Sequence, residues 1–373
     1  MLKQSTVETV IEKVVGKVVN SSSFGDGFFA LAEKDGGLQL VAVTQGESPL
    51  AERWKAEKSM EQDGFKVYFL SMNANNWALV RRYIKWTAPT ACGAKGISIG
   101  IKCPSETDRG IVLGDFQNRQ VRPVLADATP GALAEAGRNF LNLTDEATKA
   151  VFAANWRNGY GANAAGLTTE EDVVKALLYG YSMIGFDPSD KIVLENTKLS
   201  DEELTKKFEA FPMEFQAAVN ASYLNVEFQV GEHKIAFTPE EVHRIVLEYG
   251  EVIMHVQFIY NSYLKSTPWP IDFELCIRRA GRALTPQEHY LIANELERNG
   301  VKITSFLFDL QDGISDGDLA LHGEIANSFE YRLSLDNADR DENNFDDFLK
   351  VSKHRAHFKV RDIGAVKALL KKI

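Results

Sequence analysis

The chain has 373 residues, 45% of them hydrophobic, enough to bury one barrel-sized core with a smaller unit beside it. A formal charge of −10, with no lysine–arginine block beyond the closing KALLKKI, leaves no electrostatic footprint for a nucleic-acid backbone or an anionic membrane. No apolar run reaches the roughly 18–20 residues of a membrane span, and Glu8 and Glu12 interrupt the stretch where a signal peptide would be apolar, so a cytoplasmic protein is expected.

Residues 1–90 read as a small α/β unit, in which GFFALAEK, GLQLVAVTQG and FKVYFLS alternate with helical segments around residues 49–61 and 74–85. The SFGDGFF turn at 23–29 lacks the spacing of a phosphate loop and reads as a hairpin or loop. Pro89 and Gly93 mark a boundary, and residues 91–373 then carry eight strand candidates, at 96–102, 121–127, 159–164, 181–187, 271–277, 301–308, 331–337 and 356–362. Helical patterns separate most neighbours, such as TTEEDVVKALLYG with its Thr169 cap and acidic first turn. Eight such units predict a (β/α)8 TIM-type barrel, with an open doubly wound sheet as the alternative. Residues 191–270 form a long, mostly helical insertion between strands four and five, an arm suited to covering the mouth or building a subunit contact in a homo-oligomer. Cys92, Cys103 and Cys276 are odd in number and lack C-x-x-C spacing, which indicates neither a disulfide framework nor a cysteine zinc site.

Candidate site residues follow from that frame, because barrel chemistry sits at the C-terminal ends of the strands. The apolar run Tyr181–Phe186 stops at Asp187-Pro188-Ser189-Asp190, since proline cannot continue a ladder. Asp187 and Asp190 therefore stand at the mouth, as catalytic carboxylates or as a capped turn. Glu274 lies inside a strand that reads as buried and needs a partner, for which Arg278 or Arg279 is nearest in sequence, or else a role in the mouth. His357 and Lys359 share one face of the last strand, so Lys359 can project into the barrel top, as a site residue or an ion-paired structural one. Glu251 and His255 are spaced to share a helix face with metal-ligand potential, whereas His243, His289 and His322 read as ordinary helix histidines. His354 precedes the last strand.

The stretch NGYGANAAGLTTEEDVVKALLYGYSMIGFDPSDKI resembles the tagaturonate epimerase family, whose pattern runs G-[YF]-G-A-D-A and then G-[FY]-T-M, closing on D-P-S-D-H. The resemblance continues through PIDFEL, HYLIANELERNGVKITS, GDLALHGEIANSFEYRLSL and RAHFKV, over roughly residues 96–360. It implies a barrel that epimerises ketohexuronates or related ketohexoses with a divalent metal such as zinc, manganese, nickel or iron. Such a reaction requires a base, an acid and a stabiliser of negative charge. By the same resemblance Asn163 stands where the family has an aspartate, Asp108-Arg109 matches a G-D-R in which Arg109 would anchor a substrate carboxylate, and Glu274 matches a family glutamate.

The departures fall on the chemistry. An acidic S-V-D-E-T-type segment is Cys276-Ile277-Arg278-Arg279 here, and a His-Ser-Gly-Ser-Asp-Lys pattern is Asp336-Asn337-Ala338-Asp339-Arg340. Lys191 replaces the histidine after Asp-Pro-Ser-Asp, ADATPGAL replaces a polar Gln-Gln-Ser segment, and Lys359-Val360-Arg361-Asp362 replaces Lys-Thr-Ala-Gly. Three functions follow. One is an active sugar-acid epimerase with its ligands reassigned among Asp187, Asp190, Asp309, Asp312, Asp336 and Asp339. A second is a catalytically inactive relative that binds a sugar acid, through Arg278 among others, or serves as a partner subunit. The third is a metal-free aldolase- or lyase-like enzyme, which would need Lys359 as a desolvated amine of lowered pKa.

Overall fold

The computed structural model describes residues 3–279, 282–308, 315–338 and 342–373. Asp309, Asp312, Asp339 and Arg340 lie outside them.

A helix at Gln4–Val14 precedes a five-stranded antiparallel sheet built from Val18–Phe24, Gly27–Lys34, Gly37–Thr44, Phe65–Leu70 and, at the edge, Ala56–Gln62. The turn at SFGDGFF is the expected hairpin, pairing Phe24 with Gly27. The helix expected around residues 49–61 is replaced by one 3-10 turn, Ala51–Arg53, and the edge strand. Asp63-Gly64, both at positive φ, make the tight turn that folds Ala56–Gln62 back on Phe65–Leu70, and the ladder overrides the helical propensity of an Ala–Glu–Lys-rich segment.

The barrel strands are β1 (Ile97–Lys102), β2 (Val121–Ala128), β3 (Gly161–Leu167), β4 (Met183–Phe186), β5 (Asp272–Ile277), β6 (Ser305–Phe308), β7 (Arg332–Leu335) and β8 (Ala356–Val360). They are parallel and close in chain order, with Ala356 of β8 opposite Ile97 of β1, so the closed barrel holds and the open sheet is excluded. Side-chain alternation gives each strand two roles. On β1, Ile97, Ile99 and Ile101 join the core shared with the helices, while Ser98 and Lys102 face inward. Register slips in β2 between Val124 and Ala126, which sets Asp127 opposite Lys102 on one side and Asn163 on the other.

The insertion between β4 and β5 is helical as expected, with Asp201–Phe208, Met213–Tyr223 and the long Pro239–Ile259, interrupted by a hairpin of Phe228–Val230 and His233–Ile235. No described helix is long and apolar enough to cross a membrane. The helix Asp316–Ser328 approaches its successor so closely that a Cβ on Gly323 would lie 2.4 Å from the carbonyl oxygen of Val351. Gly323→Ala is expected to cost about 1–3 kcal/mol, read as a lower urea midpoint at unchanged m-value, because backbone must move to admit the methyl.

Candidate active site

β4 ends because Pro188 removes a ladder donor, and Asp187 then serves both of the roles open to it. Its Oδ1 accepts from Ser189 N at 3.1 Å and from the Ser189 hydroxyl, forming the turn. Its Oδ2 accepts from Arg278 Nη1 at 2.7 Å across the mouth. Arg278 reaches Asp336 Oδ2 at 3.4 Å with Nη2, and Asp336 Oδ1 holds Lys102, whose ammonium also reaches Asn337 Oδ1 at 2.8 Å. Burial would raise Asp336, but the hydrogen bond and charge of Lys102 keep its carboxyl below the usual range. The four side chains Lys102, Asp336, Arg278 and Asp187 thus form a charge-alternating belt around the mouth, and its cations remain about a third exposed, at 30% for Lys102 and 33% for Arg278.

Below the belt lies Glu274, fully buried. Its Oε2 is paired with Lys359 and its Oε1 accepts from the Ser334 hydroxyl at 2.5 Å. Burial alone would raise this carboxyl, but Lys359, followed by His357, outweighs it and holds it down to about 2. The partner of Glu274 is therefore Lys359, not Arg278 or Arg279. Arg279 turns outward to the insertion helix, where it donates to Glu248 Oε2 at 2.5 Å and Tyr249 OH at 2.9 Å. Burial would lower the Lys359 amine, yet the carboxylates of Glu274 and Asp127 raise it above the ordinary lysine range. An amine kept charged is not a nucleophile, so the pairing with Glu274 argues against the aldolase- or lyase-like use of Lys359.

One layer further in, His357 Nδ1 is 2.8 Å from Ser98 Oγ, which receives Arg332 Nη1 at 2.5 Å. Asn163 Nδ2 donates to Asp127 Oδ1 at 3.2 Å. Asp272 seals the bottom by accepting from the main-chain amides of Cys92 at 2.6 Å and Gly93 at 2.9 Å.

Of the expected site residues, Asp187, Asn163, Glu274, Arg278 and Lys359 converge on the barrel interior and mouth. Asp190 does not: it is more than half exposed on a surface turn, paired with Lys191 at 2.9 Å. Arg109 does not either. The Ser105–Asp108 capping box starts a helix at Glu106, so Arg109 falls on its first turn outside the barrel, where Nε donates to Leu125 O at 2.8 Å and Nη1 to Glu146 Oε2 at 2.6 Å. Lys102, Asp127, Ser98 and Arg332 were not anticipated. The signal for the β1 pair is legible in GISIGIK, where Ser98, Gly100 and Lys102 alternate with isoleucines.

The histidines of the helices stay outside. His243 stacks on Phe208 with ring centroids 4.1 Å apart, and His255 packs near Phe186 with Glu251 exposed. His354 is exposed. His322 Nε2 donates to the Leu284 carbonyl at 3.1 Å, so His322 Nδ1 accepts from His289 Nδ1 at 2.9 Å, and His289 Nε2 accepts from the Tyr331 hydroxyl at 2.6 Å. Both imidazoles are neutral in this chain of bonds. Burial, and for His289 also the charge of His322, holds His289 well below the ordinary value of 6.5 and His322 down to about 4. The unfolded chain therefore takes up protons below about pH 6.5 that the folded chain refuses. Stability is expected to be full above that pH and to fall towards pH 4 by about 1.4 kcal/mol per unit for each histidine. Urea midpoints at pH 7 and pH 5 read this, and His322→Gln should flatten the slope.

With the geometry in place, the sequence model of the tagaturonate epimerase family matches residues 20–369. The chain belongs to the tagaturonate epimerase family. A tagaturonate/fructuronate epimerase of Thermotoga maritima is 28% identical over 326 residues, covering 83% of this chain and 65% of its own length. The chain thus spans about 65% of the curated relative that it matches. A glycerol-complexed crystal structure of the fructuronate-tagaturonate epimerase from Cohnella laeviribosi superposes with a TM-score of 0.82 at 28% identity, covering 96% of this chain and 75% of that one. Its native crystal structure gives 0.81 at 28% identity, with coverages of 96% and 74%. This member of the family keeps the barrel and places a charged belt at its mouth.

Proposed function

We propose that this chain interconverts epimeric ketohexuronates, binding the substrate's carboxylate at the belt between Lys102 and Arg278. The observation that carries the reading is that belt, on a barrel of this family: two cations, each about a third exposed, Lys102 held by Asp336 and Arg278 by Asp187 and Asp336, carboxylates that a substrate carboxylate can displace. Lys359 supplies a third fixed positive charge beneath it, placed to stabilise negative charge developing on a substrate oxygen.

A divalent metal does not fit the described donor set. Asp187 and Asp336 hold Arg278 and Lys102, Glu274 holds Lys359, and among the described residues no three His, Cys, Asp or Glu side chains converge. A cation of charge two placed here would lie against fixed ammonium and guanidinium groups. We therefore read Lys102, Arg278 and Lys359 as the positive charge of the site.

The test is direct incubation with tagaturonate and, separately, fructuronate, following both by proton NMR, together with thermal shift and elemental analysis of protein purified without a metal-affinity tag. Conversion in both directions is expected. A second reading, a sugar-acid binder without turnover, is favoured by the internal pairing of Glu274 with Lys359, and stabilisation without conversion would establish it. Neither conversion nor stabilisation by either compound would remove both readings. Stoichiometric zinc, manganese, nickel or iron would overturn the metal-free site.

A further inference from the structure

The carboxylates of the barrel interior are not alike. Among the described residues, Asp187, Glu274 and Asp336 are held by arginine or lysine, and Asp272 by two main-chain amides. Asp127 is different: its Oδ1 accepts from Asn163, but its Oδ2 has no hydrogen-bond partner. Facing it at 3.6 Å is His357 Nε2, which has none either, and Asn163 Oδ1 is likewise unmet. All three residues are at most 1% exposed. Leaving buried polar atoms unmet costs free energy, so a cluster of them in a native fold calls for a polar atom set among them, of a water or of a ligand.

The protons on these groups follow from their neighbours. Arg332 can only donate, so Ser98 Oγ accepts from it; the Asp127 carboxylate, which only accepts, faces His357 Nε2 and favours the proton there, and Ser98 then turns its own hydrogen to Nδ1. The imidazole proton then sits on Nε2, pointing at Asp127 Oδ2. A gap of 3.6 Å is too long for a direct hydrogen bond, yet a single oxygen set beside it can reach both atoms. That oxygen accepts from Nε2–H and donates to Oδ2.

We propose that Asp127 and His357 are the proton-exchanging pair of this site, gripping a hydroxyl of the sugar acid; the assignment rests on the epimerase reading above. The substrate O–H bond breaks, a new O–H bond forms at Asp127 Oδ2, and the electron pair stays on the substrate oxygen, where His357 Nε2–H and the ammonium of Lys359 stabilise it. The proton returns when the hydroxyl is remade, so no oxidant or reductant is consumed. Ser98 and Arg332 are positioning residues that fix the tautomer. The charged groups around the pair are Lys359 on β8, Asp272 and Glu274 on β5 and Arg332 on β7. Gly100 completes the arrangement, since a Cβ there would lie 2.2 Å from Asp127 Oδ2.

The experiment measures kcat, KM, melting temperature and stabilisation by tagaturonate for the wild type, Asp127→Asn, His357→Gln and Gly100→Ala. Support is a fall in kcat of about 100-fold or more in the first two variants, with tagaturonate still stabilising them. Gly100→Ala keeps both groups and only displaces the carboxylate, so a loss of about tenfold or more at unchanged melting temperature supports the pair even where the other variants fail to fold. Ser98→Ala is expected to change the pH profile of kcat more than KM. If folded Asp127→Asn and His357→Gln keep kcat within about threefold of the wild type, the pair is overturned while the epimerase reading stands. A wild type that binds tagaturonate without converting it overturns the pair's role, and one that does neither removes the function itself.

Discussion

Replacing Lys359 with methionine is expected to destabilise the protein by about 3–5 kcal/mol at pH 7, the largest single effect on stability predicted for this chain. The substitution keeps most of the side-chain volume and removes only the charge that faces Glu274, at a position where lysine and glutamate are 3% and 0% exposed. The hydroxyls of Ser305 and Ser334 cannot replace an ammonium for a buried carboxylate. Glu274 is held down to about 2 in the folded protein against an ordinary 4.5, so the stability it contributes is present above about pH 4.5 and is lost as pH falls towards 2. Without Lys359 the carboxyl takes up a proton more readily on folding, and the deficit of Lys359→Met should shrink as the pH is lowered. Glu274→Gln combined with Lys359→Met should recover much of the loss, because no unpaired charge then remains. Urea titrations of Lys359→Met, Glu274→Gln and the double variant at pH 7 and pH 5 check this, and strictly additive effects would show that the two groups are not coupled.

Arg278→Met is expected to raise KM for a ketohexuronate by about 10- to 100-fold, the worth of one charge-assisted bidentate contact, with a much smaller change in kcat. Its effect on stability should stay below about 1 kcal/mol, because the arginine is a third exposed and its ion pairs with Asp187 and Asp336 are solvent-screened. Lys102→Met should act in the same direction and more weakly, since a lysine offers a point charge where arginine offers a planar fork. Rising salt should weaken binding by the wild type and affect Arg278→Met less. An unchanged KM in both variants would move the substrate carboxylate away from the mouth.

The sequence made the barrel legible because each strand announces itself by a short apolar run that ends in a turn, and all eight are present with ends displaced by a few residues. It did not reveal the edge strand Ala56–Gln62, whose residues are exposed or half-buried and so carry no alternation to read. The site was legible where its residues sit at strand ends, as with Asp187 and Arg278. It was misleading where a local signal had a local use: Arg109 belongs to a capped helix and Asp190 to a surface turn.

By itself, then, the sequence determined the strand and helix order and the family resemblance, because those depend on residue type and spacing alone. Only the tertiary structure decided which charges meet. Glu274 and Lys359 are 85 residues apart and pair because β5 and β8 face one another across a closed barrel. Asp127 meets His357 because a register slip in β2 carries it inward, beside a glycine that leaves room for its carboxylate. Distances across a barrel are set by its closure and shear, which no local pattern in the chain encodes.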